Sequence, residues 1–215
     1  LCEAVDADVH DVARGIGLDG RIGSKFLHAG PGYGGSCFPK DTLALAHTAK
    51  TSGNPLRIVE AVSAVNIQRK KRMAKKIIAA CGGSVDTKTI AILGLTFKPN
   101  TDDMREAPSL SIVAALLKAG AKVRVFDPEG MIEAKKIIDP ESVEWCDDAY
   151  DAATGTDALT IVTEWNEFRA LDLNRLKDVM RGRVLVDLRN IYNPDEMSTA
   201  GFKYTCVGRS SSPST

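Results

Sequence analysis

The chain has 215 residues, enough for one large domain or two small ones with an ample core. Lys and Arg total 28 and Asp and Glu total 28, so no overall field favours nucleic acid or an anionic membrane. No apolar run reaches membrane-spanning length, and the N-terminus shows no charged-then-apolar signal.

The five cysteines (Cys2, Cys37, Cys81, Cys146, Cys206) are scattered and form no CxxC. Neither a disulfide framework nor a zinc site is expected, and His10, His28 and His47 show no metal-ligand spacing. A reducing cytoplasm is the expected setting. The opening Leu1-Cys2-Glu3-Ala4-Val5 reads as the end of a helix already under way, so a fragment or processed product is expected.

In chain order, Val9, Val12, Ala13 and Ile16 recur at helical spacing, with Asp6 or Asp8 as N-cap and Gly17 as stop. His10 and Asp11 fall on the solvent side. The loop 17–35 is long and glycine-rich, which in a compact domain suggests binding. It leads into Gly30-Pro31-Gly32-Tyr33-Gly34-Gly35-Ser36-Cys37-Phe38-Pro39-Lys40-Asp41, where four glycines precede one cysteine and a helix start. Pro39 suits a first helical turn, which places Cys37 at a helix N-terminus, where unpaired N–H groups and the macrodipole favour a thiolate. Asp41, about one turn on, can share that side of the helix. An activated sulfur, a carboxylate and open backbone together are what covalent catalysis requires. A cysteine alone is more often a small buried hydrophobe; the combination favours the nucleophile. The GxGxG within this loop is not read as a dinucleotide fingerprint, because residues 21–28 do not form a buried strand before it.

Residues 40–50 continue as helix until Gly53-Asn54-Pro55 breaks it, and residues 56–80 form a long spine helix. Ile58, Val62, Val65, Met73, Ile77 and Ile78 mark its apolar stripe, and the basic run Arg69-Lys70-Lys71-Arg72 with Lys75-Lys76 is read as a solvated face. The helical portion, 1–82, is expected to be a dimerisation unit. Beyond Cys81-Gly82-Gly83-Ser84 the pattern changes. Apolar strands at 89–94, 122–128, 143–145, 158–163, 184–187 and 204–208 alternate with helices at 109–119, 131–138, 148–153 and 173–180. The fold class is α/β, with a helical dimerisation segment and long spine helix followed by a Rossmann-like doubly wound parallel sheet over 83–209. Residues 210–215 read as a frayed tail.

Ligands of such sheets sit at the carboxyl ends of the strands. The first strand is followed by Gly94-Leu95-Thr96-Phe97-Lys98-Pro99-Asn100-Thr101-Asp102-Asp103-Met104-Arg105. It lacks GxGxxG, so a dinucleotide is not expected here in the usual way. An aromatic, a lysine and an arginine suit a base and phosphates; a solvated loop with local ion pairs through Asp102, Asp103 and Glu106 is the equal alternative. Asp127 ends the second strand and either holds a ribose or, as favoured, starts an Asp-Pro turn. Thr163-Glu164-Trp165 and Asp187-Leu188-Arg189-Asn190 point toward the same crevice.

The dodecapeptide around Cys37, with Arg21-Ile22-Gly23-Ser24-Lys25-Phe26-Leu27 before it, resembles the catalytic segment of the UDP-glucose/GDP-mannose dehydrogenase family. The Phe97-Lys98 loop, the aspartates before Arg105, Thr163-Glu164-Trp165 and the Asp187-Arg189 turn resemble that family's nucleotide-sugar domain. The resemblance implies NAD-dependent four-electron oxidation of UDP-glucose to UDP-glucuronate through a cysteine thioester, with Cys37 as nucleophile and Asp41 positioning or activating the water. It further implies Phe26, Leu27, Gly34, Phe97 and Lys98 along the substrate, Arg189 on the nucleotide side and Arg105 on NAD. Arg21 would reach the neighbouring subunit's sugar nucleotide, which implies a homodimer. The family's NAD domain, and its lysine and asparagine that handle the substrate hydroxyl and oxyanion, would precede Leu1, so the isolated chain is expected to be inactive. At His28 some relatives carry a lysine that helps hold the nucleotide; a mostly neutral histidine there would alter affinity or its pH dependence. A sister sugar nucleotide (GDP-mannose or a UDP-N-acetyl-hexosamine), or a non-catalytic dimerising nucleotide-binding module, are the alternatives.

Overall fold

A computed structural model describes residues 1–209; the tail expected at 210–215 lies outside the described residues. A single 3-10 turn at Cys2–Ala4 stands where the end of a helix was expected, and three α-helices follow: α1 (Val9–Gly17), α2 (Phe38–Thr51) and α3 (Arg57–Ala80). The side chain of Asp8 caps α1 by accepting from the His10 N–H at 2.7 Å, which satisfies one of the orphan amides of the first turn. Strands and helices then alternate: β1 (Thr89–Leu93), α4 (Pro108–Lys118), β2 (Lys122–Phe126), α5 (Met131–Ala134), β3 (Glu144–Trp145), α6 (Ala149–Ala153), β4 (Ala158–Ile161), α7 (Asn166–Arg169), α8 (Leu173–Val179), β5 (Val184–Asp187), α9 (Pro194–Thr199) and β6 (Lys203–Cys206).

The six strands form one parallel sheet in the order β3-β2-β1-β4-β5-β6, the doubly wound arrangement expected from the sequence. β1 and β4 are the central pair and are buried almost throughout, because helices cover both faces of the sheet. β2 and β6 lie further out and alternate, with Lys122 and Lys203 exposed. The order reverses between β1 and β4, so the crevice opens where 94–106 and 162–165 leave the sheet.

Two helices escaped the sequence reading, α7 and α9. The second carries a visible signal: Asn193 caps it through Asp195 N–H at 2.8 Å, and Pro194 is its first residue. α5 stops at Ala134, short of the expected 138, and residues 135–137 continue as turns.

The spine helix divides in two. In its second half Met73, Ile77 and Ala80 are buried in the same core as Ile112, Val113 and Leu116 of α4. Burial of Met73 or Ile77 contributes on the order of 1.5–3 kcal/mol each. In its first half Ile58 is 81% exposed, and Val62 and Val65 also face solvent. The basic run is not a uniformly solvated face, contrary to expectation. Lys71, Arg72 and Lys75 are exposed, but Lys70 is buried and Arg69 half-buried, both turned toward the glycine loop.

Candidate active site

Cys37 is the N-cap residue of α2, its carbonyl accepting the first helical bond from Asp41 N–H at 2.8 Å. Pro39 falls in the first turn, where its missing N–H costs nothing. The thiol is exposed and lies 3.6 Å from Ser36 Oγ, so it is not a buried hydrophobe. Asp41 sits one turn on, as expected. Its carboxylate meets Lys40 Nζ at 2.8 Å and raises the ammonium pKa. Tyr33 and Phe38 pack edge-on at 6.0 Å and brace the loop against the helix start.

The glycines before Cys37 are explained by what presses on them. A Cβ on Gly34 would fall 2.5 Å from Glu106 O and 3.0 Å from Phe97 Cβ. Gly35 has φ +82, and a Cβ there would meet the Phe97 ring at 2.7 Å. Its N–H donates to Arg105 O at 2.7 Å. The open backbone therefore receives the loop that follows β1, and the cysteine loop and the Phe97–Arg105 segment form one unit.

That segment is held from beneath by Asp127. Its carboxylate accepts from Leu95 N, Thr96 N, Thr96 Oγ1, Glu129 N, Gly130 N and Trp165 Nε1. These donors saturate it and it is fully buried, so the ribose reading of Asp127 fails and the turn reading stands. Thr163 Oγ1 donates to Thr96 O at 2.6 Å. Thr163 and Trp165 thus frame the segment from the β4 side.

Arg189 is a strut under the same segment. Its Nε–H donates to Val162 O at 2.9 Å and Nη2 donates to Phe97 O at 3.1 Å. Glu164 Oε2 lies 2.9 Å from Nε, but that N–H is committed to Val162, so charge alone holds the carboxylate there. A Cβ on Gly30 would stand 2.8 Å from Nη1 of Arg189, which brings the start of the cysteine loop onto this guanidinium.

Arg105 pairs with Asp103 through Nε–Oδ1 at 2.9 Å and Nη2–Oδ2 at 2.8 Å, and the guanidinium holds the Asp103 carboxyl below its usual range. The ion-pair reading of 94–105 is thus seen at Asp103 and Arg105, while the Phe97 ring is half-buried against Gly34 and Gly35. Lys98 Nζ stands 5.3 Å from the Phe97 ring centre.

A cleft of about 540 Å³ opens beside Cys37, between the start of α2, the first half of α3 and Arg105-Glu106. Ser36, Lys40, Ser63, Asn66, Lys70 and Arg105 line its polar part. Ser63, Asn66 and Lys70 were missed in the sequence; their only signal was polarity at i, i+3 or i+4 spacing inside the spine helix. Gly34, Cys37, Phe97, Arg105 and Arg189 are brought together, with Lys98 beside Phe97. Arg21, Phe26 and Leu27 are not. Arg21 pairs with Asp19, Phe26 is 88% exposed, Leu27 is half-buried near Gly17, and none of them lines the cleft.

Comparison with known proteins decides the lineage. Residues 91–194 match the UDP binding domain of the UDP-glucose/GDP-mannose dehydrogenase family, and residues 1–68 match its central domain. The chain belongs to that family. It is 61% identical over 209 residues to the UDP-glucose 6-dehydrogenase of Rhizobium meliloti (strain 1021), covering 97% of this chain and 47% of the relative. It is 46% identical to UDP-glucose 6-dehydrogenase TuaD of Bacillus subtilis (strain 168), over 97% of this chain and 45% of that protein. The chain thus spans about half the length of these family members. Its fold is similar to a UDP-glucose dehydrogenase structure from Pyrobaculum islandicum, with TM-score 0.83 and 33% identity, over 97% of this chain and 45% of the other. It is also similar to an NDP-N-acetyl-D-galactosaminuronic acid dehydrogenase from Methanosarcina mazei Go1, with TM-score 0.84 and 29% identity, over 98% and 46%.

Proposed function

We propose that this chain carries the nucleophile and the nucleotide-sugar lobe of an NAD-dependent oxidoreductase that converts UDP-glucose to UDP-glucuronate. The observation that carries the reading is an exposed Cys37 thiol at the start of α2, tied to the loop bearing Phe97 and Lys98 by the Gly35–Arg105 bond. The names of the relatives support the substrate.

Accepting a hydride from C6, twice per substrate, is the chemistry NAD supplies when bound. The sheet of this chain does not form a dinucleotide cradle: the β1 loop lacks GxGxxG, and Asp127 has no lone pair left for a ribose. Arg105 fits the cofactor better, as an exposed guanidinium on the cleft beside Cys37. The rest of the chemistry belongs to side chains. Cys37 Sγ adds to the C6 aldehyde and forms the C–S bond. After the second oxidation that bond is a thioester. Water cleaves it, with C6 leaving as carboxylate and the sulfur as thiol. Asp41, ion-paired with Lys40, positions that water.

Lys98 meets the diphosphate, Phe97 and Gly34 border the sugar nucleotide, and Arg189 acts at one remove through the Phe97 carbonyl. Arg21, exposed and away from this chain's own cleft, is left to serve the partner subunit of a homodimer. The exposed Ile58, Val62 and Val65 support that dimer. We divide the chain into a helical part, 1–82, and a nucleotide-sugar part, 83–209. The free cysteines support a reducing, cytoplasmic setting. Among the described residues no helix is long and apolar enough to cross a membrane.

The test is turnover by the full-length protein with UDP-glucose, GDP-mannose or UDP-N-acetylmannosamine. The reading expects NAD reduction with UDP-glucose alone and two reduced cofactors per uronate. Preference for either other sugar nucleotide would overturn the substrate assignment.

A further inference from the structure

The spine helix does more than connect the two parts of the chain. Asn66, Arg69 and Lys70 occupy i, i+3 and i+4 on one face of α3, so their side chains emerge side by side. Asn66 is only 8% exposed and is bonded in both directions to one residue of the cysteine loop: its Oδ1 accepts from Tyr33 N at 2.9 Å and its Nδ2 donates to Tyr33 O at 3.0 Å. Arg69 Nε donates to Gly30 O at 2.9 Å. Lys70 reaches past the loop. Its Nζ donates to Glu106 O at 2.7 Å and stands 3.3 Å from Glu106 Oε2, on a side chain only 9% exposed.

The backbone on the other side is shaped to receive these groups. Gly32 has φ +125, and a Cβ there would lie 2.8 Å from Asn66 Oδ1 and 3.1 Å from Lys70 Cγ. Glu106 adopts φ +52, an uncommon left-handed conformation for a side-chain-bearing residue, at the residue whose carbonyl Lys70 grips. One residue earlier, Arg105 O accepts Gly35 N–H. The helix therefore touches both members of the unit that carries the chemistry: the loop ending at Cys37, and the turn ending the Phe97–Arg105 segment. The second half of the same helix is anchored in the core beneath the sheet.

We propose that Asn66 and Lys70 are positioning residues, which fix the Cys37 thiol against the nucleotide-sugar loop by clamping Tyr33 and Glu106 to α3. The proposal deepens the reading of Cys37 as nucleophile and rests on it. A buried lysine and a doubly bonded buried amide are costly groups to place in a helix without such partners. Displacement of a reacting group by about 1 Å costs on the order of a hundredfold in rate, so loosening this clamp should act on turnover more than on substrate affinity.

The experiment compares Asn66→Ala, Asn66→Asp, Lys70→Met and Lys70→Arg in the full-length protein. Asn66→Asp keeps the side-chain volume and removes the donor to Tyr33 O; it serves if Asn66→Ala does not fold. Asn66→Ala, Asn66→Asp and Lys70→Met are expected to lower kcat about tenfold or more with little change in KM for UDP-glucose, and Lys70→Arg to recover most of it. Alkylation of Cys37 by iodoacetamide, followed by peptide mass spectrometry, is expected to change rate in the three disruptive variants while Cys2, Cys81, Cys146 and Cys206 react as before. Folded variants with wild-type kcat, a loss confined to KM, or unchanged Cys37 alkylation would overturn the proposal. Wild-type protein that does not oxidise UDP-glucose would instead overturn the functional reading, and the alkylation rates would still decide the clamp.

Discussion

Gly35 donates its amide N–H to the main-chain carbonyl of Arg105 at 2.7 Å. That bond joins a loop ending at a thiol to a loop bearing an aromatic ring and an ammonium group. It forms because Gly34 and Gly35 leave room for the Phe97 side chain and the Glu106 backbone to come close. The site is thus a seam between two segments more than sixty residues apart in sequence, and the glycines are its fitting surface.

Adding one methyl group at this seam should open it. In Gly34→Ala the new Cβ falls 2.5 Å from a main-chain oxygen, a contact that only backbone movement relieves. We expect a destabilisation of about 1–3 kcal/mol, the usual cost of overpacking. Thermal melting of the full-length protein would show it, together with lower kcat. A melting temperature equal to wild type would mean that the seam is not closed in solution.

The Asp103–Arg105 pair gives the seam an acid limit. The guanidinium lowers the Asp103 pKa from its ordinary value near 3.8. A lowered folded-state pKa means that the unfolded chain binds more protons in the window below that value, so this pair contributes stability above it and loses the contribution as pH falls through the folded pKa. Asp103→Asn should therefore flatten stability against pH below about pH 4, with a small cost at neutral pH. Urea denaturation at a series of pH values measures this. An unchanged acid slope would deny the pair its part.

The strands were the most legible elements. Residues 89–93 and 158–161 read as continuous apolar runs because both faces of the sheet are covered, and the alternation with helices implied parallel strands. Cys37 and Pro39 were legible because a proline in a first turn marks a helix start. The glycines announced a close approach but not its partner, since spacing along the chain does not encode which distant loop arrives. Lys70 read as solvated because it stands in a charge run. Its burial depends on Glu106 O, thirty-six residues away in sequence. Likewise the apolar stripe of α3 read as one face, yet its two halves meet different surroundings. Periodicity reveals a face; it does not reveal what covers it.

The exposed half of that stripe makes its own prediction. A carboxylate at Val65, which is 66% exposed, should leave the monomer fold intact and destroy an apolar contact between two copies. In Val65→Asp we expect sedimentation velocity to report a shift from dimer toward monomer in the full-length protein. Unchanged sedimentation would mean that this face carries no contact between copies.

Lys98 should govern binding of the substrate more than turnover. A charge-assisted hydrogen bond to phosphate is worth about 1.5–3 kcal/mol, so Lys98→Ala should raise KM for UDP-glucose roughly tenfold or more and change kcat much less. Loss of the cation over the Phe97 ring removes about 0.5–1 kcal/mol of local order as well. Steady-state kinetics with varied UDP-glucose separates the two effects, and a fall in kcat at unchanged KM would contradict the assignment.

The central claim is that the sulfur of Cys37 carries the oxidised sugar. Uronate formation by the full-length Cys37→Ala protein, measured alongside its affinity for UDP-glucose, tests it most directly. The account predicts no uronate, with sugar-nucleotide binding largely intact. Uronate formed at the wild-type rate by that variant would contradict it.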